Sequence, residues 1–402
     1  MSRSGARPVR VAHVATTDVT HRFLLLPQLK ALRDAGYEVT AISAPGRWTT
    51  DLAVEGIRHV AWSRATRSWD LRADLGAFAE LVGILRRERF DLVHAHNPKP
   101  GIMARFAARL ARTPCVLNTV HGFYAMPEDR LRRRLPVMAL EWAAARCSDV
   151  ELYQSEEDLA WSRRLRIARA PKARHLGNGV DVDAFDPAAV PVSRARALRE
   201  ELGLPPDAPV VGTVGRMVLE KGFRELFAAA AEIRRKRPEV RFLVVGEIDE
   251  GKWDALDPAE VERARQDIVV AGWRTDIRDL LATMDIFVLP SWREGMPRSA
   301  IEAASMARPL VLTDIRGCRE VVRDGIEGYL VPVRDPAALA GAIERLLGDP
   351  SGSERMGLAA RARAVERFDE RRVAATIVEA SAETLRRKGY AVPLQRSITA
   401  EP

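Results

Sequence analysis

Twice along this chain, short apolar runs rich in Val, Ile, Leu and Ala alternate with longer segments of helical periodicity, each change marked by Gly or Pro. Residues 9–16 read as a strand, 22–35 as a helix closed by Gly36, and 38–43 as a second strand. So short a strand, helix, strand succession lays parallel strands side by side through a right-handed crossover. The alternation continues with a helix at 71–89, a strand at 92–95, a helix at 101–111 and the strand Cys115–Val120. It breaks at 187–209, where prolines and charges read as an interdomain connection. It restarts with a strand at 209–214, the helix Phe223–Lys236 and strands at Arg241–Val245, 268–271, Ile286–Leu289 and 309–313. Helices at 336–347, 353–368 and Glu370–Arg387 follow. The pattern predicts two doubly wound α/β domains, one over 1–190 completed by a helix at about 370–390, the other over 205–368.

A chain of 402 residues has room for two such cores. It holds no run of about 18 uncharged apolar residues, which excludes a spanning helix. Its first residues lack the apolar core and cleavage pattern of a signal peptide. Cys115, Cys147 and Cys318 are odd in number and far apart, which argues against a disulfide framework or zinc cluster and fits a reducing cytoplasm. The net charge of +8 favours anionic partners, among them nucleotides, phospholipid surfaces and nucleic acid. No RRM, KH or zinc-finger pattern accompanies it, so nucleic acid is not expected. At Leu131, Leu135, Met138 and Trp142 an apolar stripe runs beside Arg130, Arg132, Arg133 and Arg134, interrupted by Pro136. It fits either core packing or peripheral contact with an anionic membrane, which would place the protein on its inner face.

Chemistry collects where strands end. After the first strand comes Thr16-Thr17-Asp18 rather than GxGxxG, so no dinucleotide fingerprint is present. His94-Ala-His96-Asn97-Pro98-Lys99 closes another strand. The two histidines are read as alternating between faces, which would keep them from sharing a metal ion. His121 follows the strand Cys115–Val120 and precedes Gly122, at the edge of a sheet rather than in a core. Asn178-Gly179 is turn chemistry, so the neighbouring Asp181-x-Asp183 is read as a turn and not a metal site. Gly215 and Arg216 follow a strand, with Lys221-Gly222 four residues further on. Gly215 permits close backbone approach, while Arg216 offers a planar fork and Lys221 a point charge to a phosphate. Glu294 and Glu302 are separated by seven residues, in a stretch of strand, polar loop with Gly295, and helix opening at Pro297 as its first residue. The loop would present free N–H groups at the helix N-terminus, so that an anion or a polyhydroxylated ligand could sit against Gly295, Met296 and Pro297.

The pair Glu294 and Glu302, the Gly215 to Gly222 loop and Thr119-Val120-His121-Gly122-Phe123 together resemble the retaining glycosyltransferases of family 4. The resemblance implies the GT-B fold, two Rossmann-like domains facing a cleft, and transfer of a sugar from an NDP-sugar to an acceptor. In its terms Arg216 and Lys221 would hold the diphosphate, Glu302 the ribose, and Glu294 with the Gly295 to Pro297 backbone the sugar. His121 would position the sugar, and Trp273, after the strand at 268–271, would lie by the base. Family 4 enzymes imply no bound metal or other cofactor. Pro297 and Arg298 stand where many relatives carry apolar or glycine residues, and Arg298 could read a further negative charge or pair with an acidic neighbour. A sugar-nucleotide epimerase of the same fold and a non-catalytic partner subunit are the alternatives. Sugar, base and acceptor are left open.

Overall fold

Apolar runs long enough to be covered on both faces make parallel sheets, and this chain builds two. The computed structural model describes residues 7–67, 69–96, 98–123 and 130–392; Asn97 and the tail beyond Val392 lie outside them. The strands of the first sheet are β1 (Arg10–Thr17), β2 (Glu38–Ala44), β3 (Arg58–Ala61), β4 (Leu92–His96), β5 (Cys115–Val120), β6 (Val150–Tyr153) and β7 (Ala173–His175). They are all parallel, in the order β3-β2-β1-β4-β5-β6-β7. In the second sheet β8 (Val210–Val214), β9 (Arg241–Val245), β10 (Val269–Gly272), β11 (Ile286–Leu289), β12 (Leu310–Thr313) and β13 (Gly328–Val331) run parallel in the order β10-β9-β8-β11-β12-β13. Each sheet reverses its direction of growth beside its first strand. The switch points, between β1 and β4 and between β8 and β11, are where open α/β sheets bind ligands at their strands' carboxyl ends.

Side chains alternate along each strand and so divide each core into two layers. In the first sheet Val11, Val39, Leu92 and Leu117 pack with Leu29, Leu32, Ile377 and Leu385. Their neighbours Ala12, Ile42, Val93 and Val116 pack on the other side, with Leu81, Leu85, Ala104 and Ala108. The chain thus forms two compact units, one of the residues up to Gly177 and from Arg371 onward, the other Asn178–Glu370.

Two expectations are corrected. The segment 187–209 is no free connection: Val190, Leu198 and Leu204 are buried in the core of the second unit, with Val210 and Leu281, so burial rather than proline content decides its place. Pro297 is not the first helical residue either. Its ψ of 100° is extended, and it caps the helix Arg298–Ser305 from outside.

Candidate active site

The second unit gathers most of the charged candidates at its switch point. Gly215 follows β8, and its N–H donates to Val245 at 2.9 Å, tying the loop to the end of β9. The chain then turns through Leu219–Lys221 to Gly222, whose φ is +72°. A Cβ at Gly222 would lie 1.9 Å from the Pro290 carbonyl oxygen, so only glycine lets this loop press against the end of β11. Lys221 is thereby delivered to Glu294, its Nζ donating to Oε1 at 2.5 Å. Ser291, fully buried, donates its hydroxyl to the same oxygen at 2.8 Å. The Lys221 to Glu294 contact is mostly shielded from water, with side-chain exposures of 19% and 10%, so a charge placed here is weakly screened.

Arg216 lies on the same loop with its side chain about half exposed, and donates to Asp249. Gly295 and Met296 lead into the helix Arg298–Ser305; a Cβ on Gly317 would sit 2.0 Å from the Gly295 carbonyl, which fixes that turn against the chain after β12. Met296 is buried and its carbonyl accepts from Asn178 Nδ2 at 3.2 Å. On the helix, Arg298 Nε donates to Glu302 Oε1 at 2.9 Å, one turn apart, and Arg298 Nη2 stands 3.7 Å from Glu370. Of the two sequence readings of Arg298, the structure therefore shows pairing with acidic neighbours. Burial pushes the Glu302 carboxyl above its ordinary range against the opposing pull of Arg298, and pushes Glu370 up to about 7. Trp273 follows β10 and is 42% exposed.

His121 belongs to the other unit and is reached through a different network. It follows β5, and its Nε2 bonds Nδ1 of His96 at 3.0 Å; Nε2 of His96 in turn bonds Nδ1 of His13 at 3.0 Å. His94 bonds Thr119 at 2.8 Å through its Nε2. The expectation that His94 and His96 point to opposite faces is wrong, because residues two apart on a strand share a face. Their rings stack with centroids 4.6 Å apart. Burial lowers the pKa of His121 to about 4 and that of His94 to about 3, with those of His13 and His96 also well below the usual value, so all four are neutral imidazoles. The Asp181 carboxylate accepts from Asp183 N and Ala184 N at 3.2 and 2.9 Å, the turn its sequence suggests.

Sequence reasoning missed Ser291, Asp249, Glu370 and His13. Asp249 and Glu370 carry no local pattern, since their partners lie 33 and 72 residues away, and Ser291, three residues before Glu294, belongs to no motif that marks it. His13 had a signal: a polar residue inside the continuous apolar run of β1.

Comparison with known proteins finds matches over both units. The family model of the group 1 glycosyl transferases matches residues 208–349, and that of Glycosyltransferase Family 4 matches 28–184. The chain is 28% identical over 348 residues to a UDP-Gal:alpha-D-GlcNAc-diphosphoundecaprenol alpha-1,3-galactosyltransferase of Escherichia coli, covering 85% of this chain and 88% of that relative. It is 34% identical over 372 residues to a glycogen synthase of Mycobacterium tuberculosis, covering 86% of each. Among solved structures, Anabaena Alr3699/HepE in complex with UDP and glucose superposes with a TM-score of 0.77 at 23% identity, covering 94% of this chain and 100% of that one, which shows a shared fold.

Proposed function

From the premise that this chain belongs to the family 4, group 1 glycosyltransferases, and so is a GT-B enzyme that moves sugar from a nucleotide sugar, we propose its donor, acceptor class and site. The donor is a UDP-hexose held by the second unit, and the acceptor is a lipid-linked saccharide intermediate. Transfer retains the anomeric configuration. The matches are to transferases, which sets the epimerase reading aside.

The observation that carries the site is the Lys221 to Glu294 pair, its lysine on the same loop as Arg216, at the switch point of the second sheet. A departing nucleoside diphosphate gains negative charge as its bond to the sugar breaks. Fixed cations placed where that charge develops stabilise the transition state more than the ground state. Lys221 and Arg216 are such cations, and each is held by a carboxylate, Glu294 and Asp249, that a diphosphate would relieve of its partner. They meet the charge without a bound metal ion. Glu294, released from Lys221, is then available to the sugar hydroxyls, with the Gly295 to Pro297 backbone beside it. Glu302, kept in place by Arg298, holds the ribose, and Trp273 lies by the base. His121, in the first unit, keeps a neutral imidazole, since burial holds it uncharged above about pH 4.

The lipid-linked acceptor is supported by the diphosphoundecaprenol acceptor in the Escherichia coli relative's name and by the helix Leu131–Ala144. Leu131, Leu135 and Trp142 expose 59%, 57% and 48% of their surface, beside exposed Arg130 and Arg132. Apolar side chains with adjacent arginines bind the surface of an anionic bilayer. No helix among the described residues is long and apolar enough to cross it.

A thermal-shift and turnover screen against NDP-sugars, comparing wild type with Glu302→Ala, tests the donor assignment. A true donor raises the unfolding midpoint with concentration by mass action. The expected result is a shift with a UDP-hexose that the variant loses; no shift with any nucleotide sugar overturns the assignment.

A further inference from the structure

The first unit has a switch point of its own, and imidazoles fill it. His13 on β1 is paired in register with His94 on β4, the two strands where the sheet reverses, and His96 follows on the same face. All three rings are buried, at 0 to 1% exposure, with centroids 4.6 to 5.2 Å apart. Three polar rings have no packing reason to displace Leu or Val from the middle of a covered sheet, where the same face carries Val11 and Leu92.

Their hydrogen bonds leave atoms over. His96 bonds His13 with one nitrogen and His121 with the other, and a neutral imidazole has a single N–H, so it donates to one neighbour and accepts from the other. If the chain runs toward His121, His13 gives its proton from Nδ1 and keeps a bare lone pair on Nε2. If His94 donates from Nε2 to Thr119, a second bare lone pair is left on Nδ1. Both of those nitrogens are buried and without a partner. Two unmatched lone pairs in a desolvated pocket call for a cation. A nitrogen from each of the three rings lies within 4.8 Å of the others. Modest ring rotation draws these into a set about 2.0–2.1 Å from a central ion.

We propose that His13, His94 and His96 form a buried site for a divalent d-block ion of the zinc, cobalt, nickel and copper class. Imidazole nitrogen selects this class over magnesium and calcium, which take oxygen ligands. His13 binds through Nε2 and His94 through Nδ1, while His96 exchanges one of its imidazole bonds for the ion. The Thr119 hydroxyl, accepting from the far nitrogen of His94, supplies the outer hydrogen bond that fixes the orientation of a ligating ring. Three uncharged ligands leave the ion its full charge and an open fourth position, which an anion would fill.

Cobalt(II) is the probe. Tag-free wild-type protein, stripped with chelator and titrated with cobalt(II), is expected to develop the intense visible bands of a tetrahedral site with a one-to-one endpoint. His94→Ala is expected to abolish them. Thr119→Val, which keeps every ligand, is expected to retain them with affinity about tenfold or more weaker. Should His94→Ala fail to fold by circular dichroism, the wild-type and Thr119→Val titrations still decide. Absence of the bands in wild type, meaning a chain of hydrogen-bonded imidazoles only, overturns the proposal, as do bands unchanged in both variants. Nucleotide binding is not part of this readout, so the outcome is separable from the fate of the donor site.

Discussion

Lys221 meets a carboxylate at one end of a short, shielded contact, and that arrangement stores a cation where a diphosphate would need it. On the proposed reading, removing it takes a cation away from the developing charge. Lys221→Ala is expected to cost about 2–4 kcal/mol of transition-state stabilisation, the scale of one preorganised donor, read as a fall in kcat/KM; unchanged turnover would take Lys221 out of the mechanism. Glu370 gives a second prediction at this scale. Burial, the largest cause, raises its pKa from 4.5 to about 7 despite the opposing Arg298. The folded chain therefore holds this proton more tightly than the unfolded one. The resulting stabilisation is complete below about pH 4.5 and is lost as pH rises through about 7. In urea melts between about pH 5 and 8, Glu370→Gln should lack roughly 1–3 kcal/mol of the wild-type decline in stability. An identical decline in both proteins would assign the proton elsewhere.

At the scale of elements, the loop from Gly215 to Gly222 depends on a single left-handed residue. Gly222→Ala would force a Cβ to within 1.9 Å of the Pro290 carbonyl at a φ of +72°. Relief requires the loop to lift off the end of β11, taking Lys221 with it. A loss of about 1–3 kcal/mol in stability is expected, together with loss of the thermal shift from a UDP-hexose; a variant that binds donor normally would show that the loop is held by other contacts. On the helix Leu131–Ala144, Leu135→Asp with Trp142→Asp should sharply reduce sedimentation with anionic vesicles while leaving the unfolding midpoint within a few degrees, because both side chains are already exposed. Elements of this kind were largely legible in the sequence. Phe223–Lys236, Arg241–Val245, Ile286–Leu289 and Glu370–Arg387 are found where periodicity and apolar runs place them. The strands β3, β6 and β7 are not, since Arg58, His59, Glu151, Arg174 and His175 break up their apolar runs. The site was legible to the same degree: Lys221 and Glu294 are marked by their loops, but that they touch is a long-range fact, 73 residues apart. The histidines were visible too, and only the period of a strand, misapplied, kept His94 and His96 apart.

For the whole molecule, the two units have separate cores, Leu29, Leu92 and Ile377 in one and Val210, Phe287 and Ile301 in another. A ligand held by one of them acts first on that one's opening equilibrium. At a UDP concentration about 100 times its Kd, roughly 2.7 kcal/mol of added protection is expected across β8 to β13, and little across β1 to β7, by amide hydrogen exchange. Protection gained mainly in β1 to β7 would place the nucleotide in the wrong unit.

The helix Glu370–Arg387 starts as the second unit ends, yet its Val373, Ile377 and Leu385 complete the first unit's core. On the ribosome, the part of the protein made first is therefore the part that must wait. Residues 178–370 have all emerged before the last piece of the older unit is synthesised, so Leu29, Leu32 and Leu117 remain without their covering helix throughout that interval. Chaperones that bind nascent apolar surface would find it there, and a stop codon just after residue 370 would spare the donor-side unit while leaving the older one permanently unfinished.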